Sequence, residues 1–234
     1  MKRLWPLLLL PALLLPELAL DPFRGGLSPS LHHWLGTDAL GRDALLRLLL
    51  TAAQAGAFAS LCALAALALA WIAALTGPRE AFSALRAAPA LLWLIPLADL
   101  AGGLERPAMG VLVSILLAPA LEAPLRVKAE HLRLSPAWRM GRVQGAHPLR
   151  RLLAWSPWAF QEAAPLFPTA WLGALWADTT LSALGLGPGP QSDSFGRLLM
   201  EALPQLTAGA AFAWAALAAL LVLAWSLSLP EPAP

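Results

Sequence analysis

The chain has 234 residues, 59% of them apolar or aromatic, and its 17 glycines bring that share to roughly two thirds, against about 45–50% for soluble domains counted the same way. Charged residues make up 13%, about half the usual ~25%, so a water-soluble globule would lack the polar surface to cover its apolar mass. Lipid is the solvent implied. The 16 Lys and Arg against 14 Asp and Glu leave only +2, which excludes a nucleic-acid surface, and the single cysteine, Cys62, excludes an intrachain disulfide or a cysteine-built metal site.

A helix crosses ~30 Å of hydrocarbon with about 20 residues. In chain order, Leu4 to Pro16 is the first apolar run. Lys2 and Arg3 ahead of it also describe a signal peptide, but no small-x-small pattern stands out around Glu17 to Asp21, and retention as a first span is expected. Leu48 to Pro78 is free of Asp, Glu, Lys and Arg and longer than a span requires, with Ala and Gly56 recurring as small residues for close helix packing. Ala87 to Ala98 and Pro107 to Leu121 follow, separated by Gly102-Gly103, where one kinked helix or a re-entrant hairpin fits nearly as well as two helices. Ala163 to Ala177 and the charge-free Ala202 to Pro230 complete the set. The expected fold class is all-α, a polytopic membrane protein with about six transmembrane helices in a single domain, 1–234.

Orientation follows the positive-inside rule. The stretch Arg126 to Arg151 holds Arg126, Lys128, Arg133, Arg139, Arg142, Arg150 and Arg151, and so is expected in the cytoplasm. Threading from it puts Lys2, Arg3, Arg79, Arg86 and both termini inside, and Arg24, Arg42, Arg47, Arg106 and Arg197 outside. The outer loops are then 21–47 and 178–205, and the cytoplasmic loop is 122–157. Trp5, Trp71, Trp158 and Trp225 fall near inner ends, Trp34 and Trp176 near outer ends, as an aromatic belt would.

Three loops carry more than connectivity. In the first, Thr37 or Asp38 is placed to cap a helix with an acidic first turn, and Asp43 and Arg47 form an i,i+4 pair on an interfacial helix that leads into the next span. In the second, Ser135-Pro136 is an N-cap followed by Pro at the first helical position, giving a short helix to about Gln144 with Gly145 as its stop; His147-Pro148 starts another with the same device. By its charge alone this loop would anchor to anionic lipid. In the third, Thr180 to Pro188 turns through Gly185 and Gly187 and ends at a proline.

Gly36-Thr37-Asp38, Gly41-Arg42-Asp43 and Arg47 resemble the Gly-Thr-Asp-x-x-Gly-Arg-Asp-x-x-x-Arg signature of the permease subunits of dipeptide, oligopeptide and nickel ABC importers. Leu181-Ser182-Ala183-Leu184-Gly185-Leu186-Gly187 resembles that family's Leu-Ser-Phe-Leu-Gly-Leu-Gly block, with Ala183 where the block has Phe, and Ser194-Phe195-Gly196 resembles the Pro-Ser-Trp-Gly that follows it. The basic loop resembles the ATPase-coupling loop of the same permeases at Gly145, Ala146, Pro148, Arg150 and Pro157, whereas its Glu-Ala-Ala positions read Arg139-Met140-Gly141 and the spacing to Pro157 is one residue short. Arg86, Pro89 and Ile95-Pro96 are weaker points of likeness. The resemblance implies a type I ABC importer permease fold in the cytoplasmic (inner) membrane. It also implies a second homologous permease, two ATPase subunits that carry ATP and Mg, and an extracytoplasmic substrate-binding protein. The outer signature would line the route by which solute arrives, and the ligand, a peptide or a related small solute such as nickel, would pass between the two permeases. A diverged structural or regulatory membrane subunit, no longer coupled to an ATPase, is the alternative that Arg139-Met140-Gly141 raises.

Other chemistry is missing from the pattern. A phosphate-binding P-loop needs Gly-Lys before Ser or Thr, but the two lysines, Lys2 and Lys128, follow Met1 and Val127. His32, His33, His131 and His147 form no His-Glu-x-x-His pair, and no serine has Gly-x-Ser-x-Gly context. No metal, cofactor or catalytic residue is therefore expected on this chain, and no enzyme activity; hydrolysis would belong to partners. Asp99, Glu122, Glu162 and Asp178 lie near span ends, where interfacial solvation is expected to account for them.

Overall fold

The computed structural model describes residues 25–38, 40–77, 82–87, 90–100, 105–145, 156–188 and 194–206, with 214–215, 217–218 and 221. The candidate spans Leu4 to Pro16 and most of Ala202 to Pro230, the Gly102-Gly103 pair, and Ala146, Pro148, Arg150 and Arg151 lie outside the described residues. Every regular element described is helical: α1 Ala44–Thr76, α2 Ser83–Arg86, α3 Ala90–Leu100, α4 Arg106–Leu134, α5 Pro136–Val143, α6 Ser156–Ala163, a 3-10 turn Ala164–Leu166, α7 Phe167–Ala183 and α8 Phe195–Leu206. Two of them, α1 and α4, are long and apolar enough to cross a membrane.

The 33-residue α1 is the centre of the bundle. Asp43 caps it by accepting from the Leu46 N–H, and no charged side chain follows Arg47 until the helix ends. Its buried Ala52, Ala55, Ala59, Ala63, Ala66, Ala70 and Ala74 recur every three or four residues, which makes one continuous seam of small side chains along the cylinder. Three hydroxyls inside the apolar helices donate one turn back: Ser60 to Gly56 O, Ser114 to Gly110 O and Thr179 to Leu175 O, each at 2.7–2.8 Å.

Cross-contacts fix the helix directions. Along α1 and α4 they rise together, from Arg106 Nη1 on Gln54 Oε1 at 3.0 Å, through Ser114 Oγ on Cys62 O at 3.3 Å, to Arg126 Nη1 on Gly77 O at 3.4 Å. The two helices are therefore parallel. Helix α7 runs the other way: Trp171 Nε1 donates to Ser60 Oγ at 3.1 Å and Gly56 O at 3.3 Å, and the chain beyond α7 returns to the start of α1. Gly173 lets α7 close on α4, since a Cβ there would stand 2.9 Å from Leu117 Cδ2. Gly196 does the same for α8 on α7, where a Cβ would fall 2.0 Å from Thr179 O.

Two boundaries differ from the composition reading. Helix α4 does not stop at Leu121 but continues through Pro124 to Leu134, so the first part of the 122–157 segment is helix rather than loop. Helix α3 has only 11 residues. The short helix expected after Ser135-Pro136 is α5, with Ser135 Oγ accepting from Trp138 N–H at 3.2 Å and Gly145 at φ +70° just after it.

Candidate functional site

The segment 36–47 folds into a knot of charge around one carboxylate. Gly36 and Gly41 both sit at positive φ, +78° and +76°, and a Cβ on Gly36 would lie 2.3 Å from Leu27 O; only glycine fits that approach. An isolated antiparallel bridge joins Thr37 and Asp43, with Asp38 N–H donating to Arg42 O at 3.0 Å and Ala44 N–H to Gly36 O at 3.1 Å. The tight hairpin turns Asp38 inward, to 7% exposure. There its Oδ1 accepts from Leu40 N–H and Arg42 N–H, both at 2.9 Å, while Oδ2 accepts from Arg42 Nε at 2.7 Å and Arg47 Nη1 at 3.1 Å. Thr37 Oγ1 accepts from Leu27 N–H at 2.9 Å and pins the preceding loop.

Arg47 is 1% exposed and reaches a second anion, Glu201 Oε2 on α8, at 2.6 Å. The capping expectation needs correction: Asp43, not Thr37 or Asp38, is the N-cap of α1, because the hairpin occupies Thr37 and Asp38. The expected Asp43–Arg47 side-chain pair is also replaced, by Asp38–Arg47–Glu201. Asp43 instead takes His33 Nδ1 at 2.8 Å. Burial acts to raise the Asp43 carboxyl, but the Leu46 and Leu45 N–H groups and His33 outweigh it and hold its pKa below the ordinary value.

The turn at 181–187 converges on the same end of the bundle. Leu186 N–H donates to Leu181 O at 2.9 Å and Gly185 N–H to Ser182 O at 3.2 Å, with Gly185 at φ +76°. This is a Schellman cap closing α7. Gly187 has no room for a side chain beside Ser182. Between this turn and α8 a cavity of about 430 Å³ opens, bordered by Ser182, Gly185, Gly187, Ser194, Arg197 and Glu201. Arg197 Nε and Glu201 Oε1, 3.7 Å apart, set opposite charges at its edge. Thus Gly36, Thr37, Asp38, Gly41, Arg42, Asp43 and Arg47 meet Leu181, Ser182, Leu184, Gly185, Leu186 and Gly187 through α8. Glu201, the connecting residue, belongs to no recognisable motif; its one trace in the sequence is the i,i+4 spacing from Arg197.

At the opposite end of α1 a second cluster forms. Glu122, fully buried, accepts from Arg126 Nε and faces Arg86 Nη1 at 3.2 Å. Arg126 also donates to Gly77 O and Ala73 O, and Arg133 donates to Leu75 O. Two cations of α4 thereby cover the negative carbonyl end of α1. Lys128 Nζ holds both the carboxylate and the backbone carbonyl of Glu162, and the Trp71 and Trp158 rings pack tilted at 53° with centroids 5.7 Å apart. Beyond this cluster α5 buries Trp138 and leaves Arg139, Met140 and Val143 exposed, with Gly141 half-buried.

Glu122 and Asp178 correct the expectation of interfacial solvation. Both lie inside helices that outrun the apolar stretches, and Asp178 is 1% exposed with neither carboxylate oxygen hydrogen-bonded. Among the described residues no group of three or more His, Cys, Asp or Glu could hold a metal ion. No family model matches the chain, and no curated protein matches it.

Proposed function

We propose that this chain is the permease subunit of an ATP-driven importer of the kind that the outer signature resembles. In that role it forms half of a path for peptides or a related small solute, with no covalent chemistry of its own. The observation that carries the reading is the division of labour between the bundle ends. At one end the signature 36–47 and the glycine turn 181–187 join through Glu201. At the other, α4 runs on without a break until one residue, Ser135, links it to α5, whose outward side offers Arg139, Met140 and Val143.

A permease must transmit force from a nucleotide-hydrolysing partner, and a continuous helix ending in a basic, part-apolar protrusion suits that task. In this reading the 36–47 end faces outward and α5 lies in the cytoplasm, consistent with the Lys and Arg bias of Arg126 to Arg151. ATP and Mg would be bound by the partners. The second reading, a membrane subunit that no longer couples to an ATPase, draws on one observation: the exposed positions Arg139 and Met140 and the adjoining Gly141 replace the Glu-Ala-Ala of the coupling loops they resemble.

Purification in mild detergent from the native host, with mass spectrometry of co-eluting chains and a test for vanadate-sensitive ATP hydrolysis, separates the two. Co-elution of a second permease and ATPase subunits with activity supports the importer. Recovery of the chain alone and inert, in several detergents, refutes it in favour of the uncoupled subunit.

A further inference from the structure

Asp178 is the one described carboxylate that is fully buried with both oxygens unbonded. A carboxyl group withdrawn from water without a partner is costly, and inside a helical bundle it marks a functional position whose counter-group should be sought nearby. The helix register points to Arg106 as that group. Trp171 sits level with Gly56 to Ser60 of α1, and Asp178, seven residues or about 10 Å further along the antiparallel α7, comes level with the Thr51 to Gln54 turn where Arg106 is anchored by Gln54 Oε1 at 3.0 Å. Thr51 Oγ1, fully buried and also without a partner, lies at the same height. The other charged groups on neighbouring elements are engaged elsewhere, Arg47 with Asp38 and Glu201, and Arg197 with Glu201.

We propose that Arg106 and Asp178 are the two halves of a gating ion pair. In the arrangement described here Arg106 is held on α1 by Gln54; in a second arrangement the outer ends of α4 and α7 approach, and Arg106 exchanges Gln54 for Asp178. The unbonded carboxylate is the acceptor left waiting by the first arrangement. Ser182, one turn above Asp178, borders the cavity beside Arg197 and Glu201, so closure of this pair would narrow the floor of that cavity.

The test is a distance measurement on the full chain, purified with whatever subunits accompany it. Spin labels go on Glu105→Cys at the start of α4 and Leu184→Cys after α7, both exposed, in a Cys62→Ala background that removes the single native thiol. Pulsed dipolar spectroscopy, with and without ATP and vanadate, is expected to show two separations. Asp178→Asn, nearly isosteric, and Arg106→Gln should each deplete the shorter one by roughly tenfold or more, as loss of a charged hydrogen bond implies. The exchange Asp178→Arg with Arg106→Asp should restore it. A single separation in every condition, singles indistinguishable from the parent, or an exchange that fails to rescue while the singles deplete would each overturn the pair. Because the readout is a distance, it stands or falls separately from whether ATPase subunits co-purify.

Discussion

Replacing Arg47 with Met tests whether the 36–47 signature is architecture. The guanidinium is 1% exposed and bonds two carboxylates. Its bond to Asp38 lies in a dry setting, where a hydrogen bond between charged partners contributes roughly 1.5–3 kcal/mol. Its bond to Glu201 reaches a side chain that is 41% exposed, and solvent reduces such a pair to about 1 kcal/mol or less. The full penalty for stranding a buried charge, about 3–5 kcal/mol, does not apply, because Asp38 keeps Arg42 and two backbone N–H donors. The sum is a loss of about 2–4 kcal/mol, to be read from unfolding of the purified protein in mixed micelles by Trp fluorescence. A double-mutant cycle with Asp38→Asn should return a coupling of about 1–3 kcal/mol. Stability of Arg47→Met within about 0.5 kcal/mol of the parent, the scatter of an inert surface change, together with abolished transport, would refute the reasoning and assign the signature to solute contact instead.

Gly36→Ala should cost about 1–3 kcal/mol, since it combines a left-handed φ with a collision at Leu27 O; limited proteolysis between Leu27 and Gly41 would report the loosened hairpin. Glu122→Gln removes the buried carboxylate facing Arg86 and Arg126; Arg126 keeps the Gly77 and Ala73 carbonyls and Arg86 is part-exposed, so a loss of about 1–3 kcal/mol is expected in the same micelle titration. The Asp43 carboxyl, held below its ordinary value by Leu46, Leu45 and His33, contributes stability that is complete above the unfolded carboxylate range. That contribution fades as pH falls through the lower folded value. The protection factor of the Leu46 amide, taken against an intrinsic rate that itself slows on acidification, should fall as pH drops, and Asp43→Asn should remove that limb. Trp171→Phe deletes the indole donor to Ser60 and Gly56 at about 1–2 kcal/mol, measurable in the same titration.

Local signals were legible wherever backbone chemistry decided the outcome. Ser135-Pro136, Gly145 and the Gly185 turn announced α5 and the end of α7 because caps and left-handed turns depend on neighbours within a few residues. The uncharged run from Leu48 likewise announced α1. The first loop was harder. Its polar residues stand out in the sequence, but which acid caps α1 depends on a hairpin that consumes Thr37 and Asp38, and Arg47 finds Glu201 at a separation of 154 residues. Glu122 and Asp178 were misplaced for a different reason: an apolar run measures where hydrophobic composition stops, whereas a helix continues as long as packing and hydrogen bonds support it. Both α4 and α7 continue past their apolar stretches, carrying those carboxylates into the bundle.

The parallel pair α1 and α4 is fastened unevenly. Near Thr76 Arg126 and Arg133 donate to Ala73 O and Leu75 O of α1 and to Gly77 O of its cap, while toward Asp43 Arg106 donates to Gln54. Between them the two helices pack along their length, with Ala63, Leu67 and Ala70 of α1 and Val113, Leu116 and Leu121 of α4 buried in the shared core and Gly110 admitting Cys62 at close range. The backbone clamp resists shear along the common axis at the Thr76 end, so any splaying of the pair would pivot there and grow with distance from it. α5, joined to α4 by Ser135 alone, stands at that same pivoting end, so whatever displaces it acts where the pair is held and not where it is free to open.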